Sequence, residues 1–398
     1  MPAKEEQGQE KRLLEKLERL TQTGSSEMGF VAEELQRLYE HELAGIDLAK
    51  ASPEQRTRTI GILKKIGDVN MMVGRLENAS KFYDKVLKAD PDSLIAAEIH
   101  RALGTKARDV TNWVKANLHF NRSLDICKAK GDIIGQAESH QSLGYVLWRR
   151  GNFAGALKEY EAAINLLDKA TSSADTRRIA VEKLAIVRID EGNILSDKGS
   201  LEQAITIYRE CLEVLTKLEN NREIARLHNN IGHLLVNQGK LDEAMKEFEV
   251  CSKLGHRLKD QRWMGWSDFN MAEVFGRKGD AARSRALCEQ ARTHLTKIED
   301  LVGLAKASYT MGYANMAEGK FNEAKKSFEE SIKRIEQNDM PTLAAYYTYQ
   351  YGLALFKMGD RDLAMRMLKK ALHLYKVVGA DGYIAKIQTD IEKHSRTG

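Results

Sequence analysis

The side chains best suited to chemistry are few, and their spacing is wrong for catalysis. His228 and His233 stand five residues apart, where two ligands on one helical face need a separation of about four, and no third ligand accompanies them. Cys127, Cys211, Cys251 and Cys288 form no CxxC pair and have no histidines at metal-ligand spacing. They read as small apolar residues kept reduced in a core. The chain contains no GxxxxGK[ST], GxSxG or HExxH. No catalytic residue, metal or cofactor is expected. The feature that stands out is Arg226 with Asn229, Asn230 and Asn237, a polar cluster on one face that a packed core does not need.

The elements that carry these residues are legible in a repeat. A glycine or alanine recurs at Gly67, Gly104, Gly144, Gly192, Gly232, Ala272, Gly312 and Gly352. The intervals are 37, 40, 48, 40, 40, 40 and 40 residues. Seven positions on stands a second glycine, at 74, 151, 199, 239, 279, 319 and 359; the second unit has Thr111 there instead, with Trp113 close by. Twelve positions on is an alanine or Ser284, and sixteen on is Tyr83, Phe120, Tyr160, Tyr208, Phe248, Cys288, Phe328 or Leu368. Only four prolines occur in 398 residues, a scarcity that permits long helices. Small residues let two helices pack closely, and the second glycine suits a left-handed turn.

The pattern G-x6-G-x4-A-x3-[FY], as in LGYVLWRRGNFAGALKEYEAAI at 143–164, resembles the tetratricopeptide repeat over residues 55 to 378. The 40-residue period resembles the long-repeat branch found in Pins-type adaptors, kinesin light chains and Rap-type peptide sensors. The resemblance implies an all-α, right-handed superhelical solenoid of antiparallel helix pairs. Helical caps are expected at both ends: residues 1–53, with disordered first residues and a second helix from Ser26 to Leu48, and residues 379–398. Ser52-Pro53-Glu54-Gln55 supplies an N-cap, a first-turn proline and a capping-box partner. Units 1–3 are placed at 54–168 and units 4–8 at 181–378, with a longer loop or bend at 169–180. An altered turn is expected at Thr111.

In this fold the first helix of each pair lines the concave side. The resemblance then points inward Tyr145 and Trp148, Asn193, and Arg226, Asn229, Asn230, His233 and Asn237. It adds Trp266, Phe269 and Asn270, then Lys306, Tyr309 and Tyr313, then Tyr346 and Tyr349. Asparagine can bond an extended backbone with both halves of its amide, and aromatics anchor with little entropy to lose. The expected function is a non-enzymatic scaffold for a peptide or protein segment. A chaperone-type carboxylate clamp is argued against: Asn193 and Asn230 match it, but Ile189, Trp266 and Asn270 stand where it needs cations.

Residues 54–150 hold 17 Lys/Arg against 11 Asp/Glu, while the whole chain carries only +5. Lys64, Lys65, Arg101, Lys106, Arg108, Arg149 and Arg150 therefore suggest an alternative, a basic platform for RNA or an acidic protein. A peptide-sensing regulator of Rap-like type is a further alternative, set back because 1–53 holds at most two helices. No apolar run approaches a bilayer span, so a cytoplasmic protein is expected, with homo-oligomers left open.

Overall fold

The computed structural model describes residues 2–23, 27–44, 46, 50–298 and 300–395. These residues form nineteen helices and no strand. They fall into two compact units, Met1–Ser139 and His140–Gly398.

The first unit contains α1 (Pro2–Thr23), α2 (Met28–Leu43), α3 (Pro53–Met72), α4 (Leu76–Ala89), α5 (Leu94–Asp109) and α6 (Trp113–Lys130). The division falls inside α7 (Ile133–Arg149). The second unit continues through α8 (Phe153–Ala170), α9 (Arg177–Lys198), α10 (Leu201–Lys217), α11 (Asn221–Asn237), α12 (Leu241–Leu258) and α13 (Gln261–Arg277). It ends with α14 (Ala281–Lys297), α15 (Leu301–Ala317), α16 (Phe321–Gln337), α17 (Pro341–Lys357), α18 (Arg361–Val378) and α19 (Asp381–Ser395). Within each unit consecutive helices pack as pairs and each pair stacks on the next, which is the tetratricopeptide solenoid.

The repeat has a steric cause. A Cβ on Gly232 would lie 2.7 Å from Phe248 Cδ1, and one on Gly104 would lie 2.6 Å from Phe120 Cε1. The aromatic sixteen residues on therefore lies flat over the glycine of its own pair. Where the glycine becomes Ala272, the aromatic becomes Cys288, so the gain of one methyl is matched by the loss of a ring.

The turn between paired helices is left-handed, with φ between 74° and 88° at Gly74, Gly151, Gly199, Gly239, Gly279, Gly319 and Gly359. The altered turn expected at Thr111 is not what forms. Thr111 adopts φ 56°, and Asn112 N–H donates to Ala107 O at 2.8 Å just as Asn152 N–H donates to Leu147 O at 2.8 Å. Burial of Trp113, 6% exposed, holds the turn in place against a conformation that disfavours a β-branched residue.

The extra eight residues before the fourth unit are divided between two uses. Residues 171–176 form the connection, and α9 is 22 residues long where α11, α13, α15 and α17 are 17. The capping box forms as read: Gln55 N–H donates to Ser52 Oγ at 3.3 Å and Ser52 N–H donates to Gln55 Oε1 at 3.1 Å. Leu13, Leu17, Val31, Leu35 and Tyr39 are buried together with Ile62 and Ile66. At the N-terminus α1 already runs from Pro2, where disorder is expected; Ser26 and Leu48 lie outside the described residues.

Candidate functional site

All the residues expected to line a binding groove lie in the second unit, on its odd-numbered helices. Their register explains the grouping. Two positions before each key small residue stand Asp190, Asn230, Asn270, Thr310 and Gln350, on α9, α11, α13, α15 and α17. The same turn of successive stacked helices thus presents one polar side chain after another.

These side chains are joined. Tyr208 O–H donates to Asn193 Oδ1 at 2.7 Å, and Asn230 Nδ2 donates to the same oxygen at 2.9 Å. Asn229 Nδ2 donates to Asn230 Oδ1 at 3.4 Å, and Asn270 Nδ2 donates to Asn229 Oδ1 at 2.6 Å. Lys306 Nζ then donates to Asn270 Oδ1 and lies 2.7 Å from His233 Nε2. A continuous ladder of amides, ending on one cation, therefore crosses from α9 to α15.

Charge inside this ladder is compensated or suppressed. Desolvation of the half-buried Arg226 would by itself lower its pKa, but Asp190 and Glu223 raise it further than that lowers it. Burial pushes Lys306 down to about 8 although Glu273 opposes the shift. Burial, with Lys306 and Arg277 nearby, holds the His233 imidazole well below its ordinary value. Arg277 donates to Glu273 at 2.7 Å and to Gln350 Oε1 at 3.0 Å, and lies over the Tyr313 ring.

The inner face is not an open trough. Trp148, Asn229, Phe269, Asn270, Lys306, Tyr309, Tyr313 and Tyr349 are buried, with Lys306 only 1% exposed. Tyr145, Asn193, Arg226, Asn230, His233, Asn237, Trp266 and Tyr346 are half-buried. The cause is closure of the unit on itself. Tyr346 O–H donates to Asn237 Oδ1 at 3.0 Å, and Asn237 Nδ2 donates to Tyr383 Oη at 3.2 Å, so α17 and α19 reach back to α11. A Cβ on Gly199 would lie 2.9 Å from the Gly382 backbone, which seats the start of α19 against the end of α9. Arg150 pairs with Asp339 at 3.5 Å, and Gly151 abuts Val378.

Within that interior the aromatics divide. Tyr309 stacks on Tyr347 at 4.3 Å and its hydroxyl lies 3.0 Å from that of Tyr313; these are packing contacts. Trp148 Nε1 donates to Asp197 Oδ2 at 2.7 Å and meets Tyr145 edge to face, while Tyr349 O–H donates to Asp390 at 2.6 Å. Trp266 carries the Lys306 ammonium 5.3 Å from its ring centre. Asp190, Glu273, Arg277, Gln350 and Tyr383 also belong to this interior and are not among the residues expected there. The first four were findable, because Asp190 and Gln350 share the register position of Asn230, Glu273 shares that of His233, and Arg277 that of Asn237. Tyr383 lies beyond the repeats and carried no such signal.

The basic residues form a different picture from an open cationic surface. Lys64 bridges Asp68 and Glu98, Lys65 holds Glu10, Arg101 holds Glu138, and Arg108 holds Asp109. Lys106 is half-buried. In the second unit Arg149 lies over the Trp148 ring, and Arg150 holds Asp339. No group of three or more His, Cys, Asp or Glu among the described residues is arranged to hold a metal ion, and no described helix is long and apolar enough to cross a membrane.

Family models described as tetratricopeptide repeat match residues 65–93, 188–214, 225–254 and 305–338, and residues 347–376. A tetratricopeptide repeat-containing protein of Methanocaldococcus jannaschii is 22% identical over 377 residues, covering 87% of this chain. The chain spans 62% of that relative's length. A Rap protein complexed with competence and sporulation factor superposes with a TM-score of 0.66 at 14% identity, covering 96% of this chain and 100% of that one. The Rap conjugation gene regulator of the plasmid pLS20, in complex with the Phr* peptide, gives 0.62 at 16% identity, covering 92% and 95%. At such identities the likeness is one of fold. Repeat matches, 40-residue register and paired-helix stacking agree: the chain carries tetratricopeptide repeats, most of them 40 residues apart, with no single orthologue picked out.

Proposed function

We propose that the chain is a non-enzymatic interaction scaffold whose second unit takes an extended peptide or protein segment along the amides of its inner helices. The observation that carries this reading is the continuous ladder from Asn193 through Asn230, Asn229 and Asn270 to Lys306. An extended backbone offers donors and acceptors at a rise of about 3.3 Å per residue, and each asparagine can answer both kinds. The ladder's amides bond one another, so a peptide enters by exchanging those bonds for its own, which leaves few polar groups unpaired. Entry also requires the contacts of α19 with α9 and α11 to part. Trp266 and Tyr346, half-buried beside the ladder, supply anchoring surfaces.

The test is selection of peptides from a random displayed library on the full chain, followed by titration of an enriched peptide. Asn230→Ala should weaken binding at least tenfold while the far-UV spectrum stays unchanged. An enriched peptide that binds Asn230→Ala and Asn193→Ala as tightly as the parent would overturn the reading. Arg226 is unsuitable for this purpose, because its removal strands the buried Asp190 carboxylate.

A second reading, a peptide-sensing regulator of Rap-like type, draws support from a fold match that spans nearly the whole of both chains. The first unit supports it too, since six helices belong to Met1–Ser139, where the sequence alone credits 1–53 with two. Its activity would be a separate one, exerted on a target protein and altered by the peptide. A basic RNA platform through residues 54–150 receives less support, because most of its cations already hold carboxylates.

A further inference from the structure

The outer helices of the repeats act as controls for one another, and one of them departs from the rest. Ten positions after the key small residue the other seven units carry Glu77, Ala154, Glu202, Asp242, Ala282, Asn322 and Asp362. Fourteen positions after it they carry Lys81, Lys158, Thr206, Lys246, Ala286, Lys326 and Arg366. Three of the seven pair an acid with a cation four residues later, a solvated pair suited to an outward helix face, and none of the seven carries a large apolar side chain at either position. In α6 the same two positions are Val114 and Leu118, and they are 82% and 68% exposed. Val110, which caps α5 on the other side of the Thr111 turn, is 53% exposed. Among the described residues of the first unit, none covers more than a third of Val114 or Leu118.

We propose that Val110, Val114 and Leu118 form a docking ridge for an acidic amphipathic helix of a partner protein. Val114 and Leu118, four residues apart on α6, make a short ridge of the kind that packs into the groove of an incoming helix, and Val110 adds apolar surface from the end of α5. Charge selects the occupant. The stretch 106–122 holds four Lys/Arg against one Asp. Arg108 and Arg122 hold Asp109 and Asp92, while Lys115 is exposed beside Leu118 on the same helix face and Lys106 stands one turn before Val110. Cations flanking an apolar row favour acidic flanks on the partner. The ridge lies in the first unit and does not depend on peptide entry into the second.

The test uses the full chain and a variant, Val114→Asp with Leu118→Lys, which gives α6 the acid–cation pair that three other units carry at these positions and so should fold as the parent does. The probe is a 20-residue stapled helix with leucine at a and d positions and glutamate elsewhere; a second probe has lysine for every glutamate. The acidic helix should bind the parent and lose at least tenfold on the variant, with affinity falling as salt rises. The lysine helix should bind at least tenfold more weakly than the acidic one. Equal binding of the acidic helix to parent and variant, equal binding of both probes, or no binding of either overturns the proposal. Sedimentation supplies one more outcome: a dimer of the parent that the variant abolishes would make the occupant a second copy, and also overturns it.

Discussion

Substitution of Gly232 by alanine puts the close-packing logic of the repeat to a quantitative test. Helix propensity alone favours the change by about 1 kcal/mol. The new Cβ, however, would lie 2.7 Å from Phe248 Cδ1 and 2.9 Å from its Cζ, and that ring is only 1% exposed. Ordinary carbon contacts sit at about 3.5–4.0 Å, so the ring must move by roughly 1 Å against a filled core. Overpacking of this kind costs about 1–3 kcal/mol, and the net expectation is a loss of up to about 2 kcal/mol once propensity is credited. The sixth unit shows the compensated form, Ala272 with Cys288. Phe248→Cys alone leaves a cavity and should cost about 3 kcal/mol. In the double variant the added methyl occupies part of that space, so the combined loss should fall short of the sum by about 1 kcal/mol or more. Urea unfolding of the full chain, followed by far-UV circular dichroism across the mutant cycle, measures each term. Strict additivity, or a Gly232→Ala variant more stable than the parent, would refute the steric account.

Two further outcomes follow from the fold. Because the folded His233 imidazole titrates well below its ordinary value, the unfolded chain binds the extra proton first as pH falls through about 6.5. Stability should therefore drop on acidification in that range, and His233→Gln should flatten the drop by up to about 1.4 kcal/mol per pH unit, as read from melts of both proteins between neutral and mildly acidic pH. Thr111→Gly should stabilise the chain by up to about 1 kcal/mol by relieving the left-handed strain at φ 56°; a Thr111→Ser variant that gains as much would place the effect in the side chain instead.

The repeat was legible in the sequence because it is written by steric exclusion. Gly232 and Phe248, or Ala272 and Cys288, must be chosen together, so their spacing survives in the letters. Helix ends set by local chemistry, such as Ser52 with Gln55, were legible for the same reason. The turn at Thr111 was misread because tertiary burial of Trp113 overrides a local preference, which no short-range pattern records. The candidate site was half legible. The register placed Asn193, Asn230 and Asn270 on one face, but their depth depends on Tyr383 meeting Asn237, a contact between residues 146 apart. A linear reading of stacked units sees each neighbour and misses the meeting of first with last.

That meeting changes the kind of cooperativity available to the second unit. An open stack behaves as a row with free ends: it frays from its termini, and a disturbance in one repeat fades over the next few. Where the Gly199 and Gly382 backbones touch, the row acquires something close to a periodic boundary, and every inner helix feels two routes to every other. A strain of the inner ladder at Asn270 can reach α19 either through α15 and α17 or across through Asn237 to Tyr383. Such an arrangement favours all-or-none opening over gradual unwinding, because a single break at the seam releases the constraint on all the repeats at once.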